Sequence, residues 1–285
     1  MEQVKNILVG LDLSEIDDTL IEYASFIADK LGAEKVYFVH NIKKYEISEL
    51  FQEQLKDINL EDIISEELKD KISSKFNANA QWDVLISEDP YSEALIKYIV
   101  NKYLVNLVIL GNKNKKKGTG TVPSKLLRIL NCDLLTVPEN APCKLENIWV
   151  GTDFSKESKK VFQAARVLQS ATGAKVTATH VFSIPVHFSP YINKEDMEPK
   201  IEKHVNERMD KFLKNLDYQG DLSFRIYSAR SSSEAVELAT KAEASKADML
   251  VVADTGGSTI SSILVGSLTE ELFNSQLHLP LWISK

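Results

Sequence analysis

The sequence lacks the features that mark secreted, membrane-spanning and disulfide-bonded proteins. It has two cysteines, Cys132 and Cys143, and no CxxC pair, so neither a disulfide framework nor a zinc ribbon is indicated. Its longest apolar runs are strand-sized, far short of the roughly 20 residues that cross a bilayer. The amino terminus runs directly into a strand-like segment, without the charged and apolar regions of a secretory signal. We therefore expect a cytoplasmic protein with reduced thiols and no membrane partner.

Positive charge is also scarce, with 34 Lys and Arg against 41 Asp and Glu and a net charge of −7. A basic face is the usual footprint of nucleic-acid binding, so we expect no nucleic-acid partner. The sequence has no GxSxG motif, no Walker lysine and no metal-ligand spacing among its histidines. His40 and His180 both close strand-like runs, which favours structural roles for them. We predict no catalytic residues and no metal site.

The sequence contains two copies of one repeated unit. Residues 4–15 read VKNILVGLDLSE and residues 145–156 read LENIWVGTDFSK, which share N-I-x-V-G-x-D-x-S at an offset of 141. Each copy continues to a Gly-Ala pair and then to a β-branched run closed by histidine, KVYFVH or KVTATH. Matches in the same order predict a tandem repeat. A proline-containing linker, ENAPCKLE, separates the copies, so we expect domains at 1–140 and 141–285.

Short apolar runs alternate with stretches of helical period, a pattern typical of βαβ units. The predicted strands lie at 4–10, 34–41, 80–87, 106–110, 133–137, 146–152, 175–182, 221–228, 248–253 and 279–284. The predicted helices lie at 16–31, 47–75, 91–103, 122–130, 157–171, 195–216, 232–245 and 265–275, with Ser14 as the cap of the first. The predicted fold class is α/β: two tandem Rossmann-like domains, each a five-stranded parallel sheet with helices on both faces.

The strongest local feature is the segment 251–272, VVADTGGSTISSILVGSLTEEL. An apolar strand ends at Ala253, a loop rich in Gly, Ser and Thr follows, and Gly266-Ser267 opens an amphipathic helix. Glycines let a backbone approach an anion, and free N–H groups at a helix start point towards it. The same residues also suit a simple turn followed by a helix cap. The pattern alone leaves both interpretations open.

This layout resembles the universal stress proteins, in the tandem form, over essentially the whole chain. Nucleotide-binding members of that family carry G-x2-G-x9-G-[S/T] between the fourth strand and the fourth helix. The match here is Ala253-x2-Gly256-x9-Gly266-Ser267, in which alanine replaces the first glycine. The family aspartate that follows the first strand and contacts adenine corresponds to Asp153. The resemblance implies the adenine nucleotide alpha hydrolase-like variety of the Rossmann-like fold.

By the same resemblance, the C-terminal domain binds ATP or a related adenine nucleotide, alone or with Mg²⁺, in a stress response. The implied nucleotide-binding residues are Thr152, Asp153, Phe154, Ser155, Val181, Val252, Ala253, Gly256, Gly266, Ser267, Leu268 and Thr269. Serine and leucine follow Gly266, where a P-loop hydrolase has lysine and serine. We therefore expect a sensor or switch, with slow ATP hydrolysis at most.

The first copy departs further from the family pattern. Its loop, GNKNKKKGTGTVPSK at 111–125, is four residues shorter than the family spacing. The resemblance implies a weaker N-terminal site made of Asp12, Asn41, Gly111, Gly120 and Thr121. The loop lysines could attract an anion. A solvated charged loop is the alternative.

Two other functions remain open. One is a ligand-free interaction or scaffold module built as a pseudo-dimer, since family dimers form through the final strands. In that case the strands at 133–137 and 279–284 pair within one chain, and a homodimer could form in addition. The other is a carrier of a different small ligand, walled by the Pro- and aromatic-rich segment 183–199.

Overall fold

The structure is a computed structural model that describes residues 4–43, 58–112, 121–156, 158–183, 194–216, 218–229, 232–254, 266–275 and 277–285, with residues 121–123 and 194–196 described by their backbone alone. The chain divides into two compact units between Cys143 and Lys144. Gly120, Gly256, the loop lysines and most of the 183–199 segment, all named above, lie outside the described residues.

The first unit is a parallel sheet connected by helices, as predicted. Its elements are β1 (Asn6–Leu11), α1 (Ile16–Leu31), β2 (Lys35–Asn41), α2 (Leu60–Lys75), β3 (Gln81–Ser87), α3 (Ser92–Lys102), β4 (Leu107–Asn112), α4 (Thr121–Ile129) and β5 (Asp133–Pro138). The strand order is β3-β2-β1-β4-β5. Each neighbouring pair is parallel, which places all the carboxyl ends at one edge.

The second unit repeats this arrangement. Its elements are β6 (Asn147–Gly151), α5 (Lys159–Thr172), β7 (Lys175–Ser183), α6 (Lys194–Lys214), β8 (Leu222–Ala229), α7 (Glu234–Ala244), β9 (Met249–Ala253), α8 (Ser267–Asn274) and β10 (Leu281–Ser284). The strand order is β10-β9-β6-β7-β8, again parallel throughout. The mixed α/β fold class is confirmed.

Helices cover both faces of the second sheet. Phe224 and Tyr227 lie at positions of opposite parity on β8, so their side chains point to opposite faces. Phe224 stacks against Phe154, which also contacts Phe212 of α6. Tyr227 lies under the ammonium group of Lys241 on α7. Phe162 of α5 also packs against Phe212. One face is therefore covered by α5 and α6, and the other by α7.

The repeated asparagine at the start of each first strand has a structural role. The side-chain nitrogen of Asn6 donates to the carbonyl of Tyr103 at 2.9 Å, and that of Asn147 donates to Ser245 at 3.0 Å. Both carbonyls lie in the turn that precedes the fourth strand of their unit. Each asparagine therefore holds that turn against the amino end of the sheet, which explains part of the repeat.

Two local predictions are wrong. The single helix at 47–75 begins at Leu60, because Asn59 has a non-helical backbone and its side chain accepts a hydrogen bond from the nitrogen of Asp62. Ser14 does not cap α1: the N-cap position is Glu15, without a side-chain hydrogen bond. The Ser14 hydroxyl instead donates to Asp12 at 2.7 Å. Within the described ranges, no helix has both the length and the apolar character needed to cross a membrane.

Candidate functional site

The carboxyl ends of β6 and β9 lie side by side at one edge of the second sheet. The two strands pair directly, with Val150 opposite Val251. The loop that follows β6 therefore leaves the sheet beside Val252 and Ala253. Ligands of open α/β sheets bind at this edge, next to the point where the strand order reverses. The sheet thus brings together the two segments that the sequence predicted as one site.

The loop after β6 is fixed by hydrogen bonds around Asp153. Its carboxylate accepts from the nitrogen of Ser155 at 2.9 Å and from the hydroxyl of Ser158 at 2.5 Å. The same hydroxyl accepts from the nitrogen of Asp153 at 3.2 Å. The buried Thr152 hydroxyl accepts from the nitrogen of Phe154 at 3.1 Å. The aspartate that was predicted to contact adenine is therefore held in one position by its own loop.

Phe154 anchors this loop to the α6 face of the sheet. Its φ is 61°, in the left-handed region that an ordinary side chain rarely adopts. Its ring lies 4.6 Å from that of His180. Arg208 of α6 lies over the same ring, and its guanidinium donates to the carbonyl of Asp153 at 3.1 Å. Sequence reasoning missed Arg208, because no spacing along the chain connects α6 to this loop.

The start of α8 is tied to the end of β9 by two hydrogen bonds. The nitrogen of Gly266 donates to the carbonyl of Asp254 at 2.7 Å, and the Thr269 hydroxyl donates to the carbonyl of Ala253 at 2.5 Å. Ser267 is exposed at the first helical position. Ala253, which replaces a family glycine, is not among the residues with positive φ. Alanine is therefore not strained there.

Val181 and Val252, predicted to line a base pocket, are both buried, at 6% and 2% exposure. His180 lies between β7 and the Asp153 loop, where its Nδ1 donates to the carbonyl of Thr152 at 2.7 Å. Burial lowers the pKa of His180, which keeps the ring neutral at pH 7. His40 makes the equivalent contact to the carbonyl of Leu11. Both histidines are structural in these contacts.

Carboxylates hydrogen-bonded to serines surround the same edge. Ser183 donates to Glu234 at 2.8 Å, and Ser233 donates to Glu271 at 2.5 Å. Asp254 forms an ion pair of 3.2 Å with Lys285. Within the described part of the chain, these acidic residues do not form a group that could hold a metal ion. The edge is therefore polar, and its carboxylates lie together with the cations Lys285 and Arg208.

Three of the residues predicted for the weaker N-terminal site make contacts within their own unit: Asp12, Asn41 and Gly111. The Asn41 amide donates to the carbonyl of Asp89 and to Ser92, each at 2.8 Å. A Cβ on Gly111 would lie 2.8 Å from Cδ1 of Ile16, so packing against α1 accounts for that glycine. Asp12 accepts the Ser14 hydroxyl. The backbone of Thr121 begins α4.

Asp17, at the start of α1, was not predicted to be part of any site. Its carboxylate accepts from the nitrogens of Asp12 at 3.2 Å and Leu13 at 2.8 Å, and the residue is fully buried. Burial, opposed by these hydrogen bonds and reinforced by the charge of Asp12, raises the pKa of Asp17 to about 6. The offset of 141 pairs Asp17 with Ser158, and this pairing could have revealed the position.

Comparisons with known proteins agree with this architecture. Residues 144–281 match the sequence model of the universal stress protein family. A universal stress protein from Archaeoglobus fulgidus covers 99% of this chain and 97% of its own, at 17% identity and a TM-score of 0.66. A protein from Pseudomonas aeruginosa described as a universal stress protein covers 99% and 93%, at 14% identity and a TM-score of 0.66.

A universal stress protein solved in complex with cAMP covers 49% of this chain and 97% of its own, at 23% identity and a TM-score of 0.35. No curated protein gave a significant match. The family match lies in the second unit, and the structural likeness extends over both units. Residues 144–281 therefore match the universal stress protein family, and the full length of the chain shares the fold of the solved universal stress proteins that it resembles.

Proposed function

We propose that the C-terminal domain binds an adenine nucleotide, ATP alone or with Mg²⁺, at the edge where β6 and β9 end. One observation carries this proposal: the pairing of β6 with β9, together with the Asp254–Gly266 hydrogen bond, places the start of α8 beside the Asp153 loop. A helix start and an adjacent strand-end loop are the two parts that a nucleotide needs, one for phosphate and one for base and ribose.

The phosphate side of the proposed site is the first turn of α8. The first intrahelical hydrogen bond runs from Glu270 to the carbonyl of Gly266, so the nitrogens of Ser267, Leu268 and Thr269 precede it. Such N–H groups, with the positive end of the helix dipole behind them, attract anions. The exposed Ser267 hydroxyl adds a donor. Thr269 supports this turn through its bond to Ala253.

The base side of the proposed site is formed by Val181 and Val252, with the Asp153 loop beside them. Both valines are buried near the carboxyl ends of their strands, where they offer an apolar surface to a ring. We expect binding with slow turnover at most, because no lysine follows Gly266 to act on the β- and γ-phosphates. A nucleotide held without rapid hydrolysis suits a sensor or switch in a stress response.

Nucleotide titration of the purified full-length chain tests the proposal. We expect ATP, with and without Mg²⁺, to raise the thermal midpoint of unfolding, because a ligand that binds only the folded state stabilises it. Native mass spectrometry should show one adenine nucleotide per chain. Absence of binding by any adenine nucleotide at millimolar concentration would refute the proposal.

A ligand-free interaction module is the second candidate. Two groups that were predicted to contact the nucleotide are hydrogen-bonded within the protein, which favours this alternative. The Asp153 carboxylate is bonded within its loop, and the Thr269 hydroxyl is bonded to Ala253. Under this alternative, saturating ATP leaves the thermal midpoint unchanged. The predicted homodimer is open to sedimentation analysis of the full chain, whereas the predicted pairing of the two domains within one chain leaves the mass unchanged. A mass above one chain would support the homodimer.

A further inference from the structure

Thr179 of β7 carries a buried hydroxyl that is unpaired within the described part of the chain. The residue is 1% exposed, and its Oγ1 has no hydrogen-bond partner among the residues that the structure describes. A buried polar group normally has a partner, because leaving it unpaired costs the water contacts that it lost on folding. The Thr179 hydroxyl therefore has hydrogen-bonding capacity that the described residues do not use.

This hydroxyl lies beneath the proposed base pocket. Thr179 is in register with Gly151 on β6, and residues in register on parallel strands point to the same face. On that face a Cβ at Gly151 would lie 3.0 Å from Cδ2 of Leu238 on α7 and 3.1 Å from Cγ1 of Val252. Val181 is two residues further along β7 and faces the same way. Thr179 thus lies in one row with Gly151 and Val252. This row is one step nearer the amino ends of the strands than Val181.

The first unit has an apolar version of the same row. Its β2 places Val39 in register with Gly10, and a Cβ on Gly10 would lie 2.8 Å from Cδ2 of Leu110. The second unit has threonine in place of Val39 and valine in place of Leu110. One change replaces a methyl group with a hydroxyl, and the other removes a methylene group. Both changes occur in the unit with the longer glycine loop.

We propose that Thr179 is a base-recognition residue, whose hydroxyl hydrogen-bonds the ring edge of an adenine bound above it. This inference rests on the proposed nucleotide binding in the C-terminal domain. A hydroxyl both donates and accepts, so it can pair with the amino group or with a ring nitrogen of adenine. The Thr179 hydroxyl therefore favours adenine over a base that lacks a matching group at that position.

The test compares Thr179→Val with a matched control on the same strand. Thr177→Val makes the same chemical change two residues earlier, where the hydroxyl is bonded to Ser223 at 2.9 Å. We expect Thr179→Val to weaken ATP binding about 5- to 20-fold, the range for losing one hydrogen bond to a buried group. Thr177→Val should bind like the wild type. Thr179→Ser, which keeps the hydroxyl, should retain most of the affinity.

Thermal unfolding without nucleotide separates recognition from a structural role. Valine already occupies the equivalent position as Val39, so Thr179→Val should fold with an unchanged or higher midpoint. A lower midpoint, or an unchanged ATP affinity in a wild type that binds ATP, would overturn the role of Thr179 and leave nucleotide binding intact. A wild type that binds no adenine nucleotide would overturn both.

Discussion

Asp17 and Ser158 occupy the same position at the start of the first helix of their respective units. Each accepts a hydrogen bond from the main-chain nitrogen of the aspartate after the first strand, Asp12 or Asp153, at 3.2 Å in both cases. Ser158 makes this contact with a neutral hydroxyl, whereas Asp17 makes it with a buried carboxylate. The two units therefore form the same loop, but only the first unit buries a carboxylate in it.

Replacing Asp17 with serine should remove a pH dependence of stability. The pKa of Asp17 is raised from 3.8 to about 6, so the folded state keeps its proton over a range in which the unfolded state has lost it. The stabilisation of the folded state by this proton is full below about pH 4, falls as pH rises to about 6, and stays low above that. The total change in the free energy of unfolding is at most about 3 kcal/mol. Asp17→Ser should flatten the decline, measured by urea unfolding between pH 4 and 7.

Glu15→Ser is the control for this experiment, because Glu15 is exposed two residues earlier on the same loop. It should leave the pH profile of the wild type in place. A decline of equal size in Asp17→Ser would show that another group causes it.

Replacing Gly266 with valine should abolish nucleotide binding without unfolding the domain. Gly266 has φ −61° and ψ 140°, an extended conformation that valine readily adopts. The added side chain would stand at the start of α8, where the phosphate is proposed to approach the backbone. Titration with ATP should show loss of binding in Gly266→Val and little change in Gly120→Val. Equal loss in both variants would contradict a site confined to the C-terminal domain.

Glycine substitutions at Leu13 and Phe154 should have opposite effects on stability. Both residues have left-handed backbones, with φ of 62° and 61°. Leu13 is 41% exposed, so glycine should relieve strain and raise the unfolding free energy by about 0.5 kcal/mol. Phe154 contacts His180, Phe212 and Phe224, so glycine there should lower it by about 2–3 kcal/mol. Chemical denaturation of both variants measures the contrast.

Removing the Thr269 hydroxyl should loosen the start of α8. Thr269→Val leaves the carbonyl of Ala253 without this donor, so we expect a loss of about 1–2 kcal/mol and weaker ATP binding. Thr240→Val is the matched control, because its exposed hydroxyl bonds only a carbonyl of its own helix. That variant should change stability by less than about 0.5 kcal/mol. Equal effects would show that the Thr269 bond does not hold the helix start.

Much of the fold could be predicted from the sequence, because the signals for strands and helix ends are local. Strand-sized apolar runs and the glycine after α1, which has φ 64° at Gly32, are visible along the chain. The start of α2 was missed because residues 47–59 have a helical composition, and the asparagine that caps the helix carries no special pattern. The predicted Ser14 cap was wrong because Asp12 accepts the Ser14 hydroxyl, while Asp17 accepts from the nitrogen of Leu13 in the same loop.

The candidate site was less predictable, since its contacts join residues far apart in the chain. The sequence indicated the strand ends and the glycine-initiated helix. It could not indicate that Arg208 reaches the carbonyl of Asp153, because 55 residues separate them. Nor could it indicate that the Thr269 hydroxyl donates to the carbonyl of Ala253. Such pairings depend on how helices pack across the sheet, which no single segment specifies.

The hydrogen bond between Gly266 and Asp254 has an evolutionary consequence. It joins the exit of β9 to the entry of α8, so the stretch of chain between them can be exchanged while the scaffold keeps its geometry. The two copies of this chain already differ in this segment, in length and in charge. After a duplication, one copy can thus gain, lose or alter a ligand by changing a single stretch, and the same stretch is where a new specificity could be grafted.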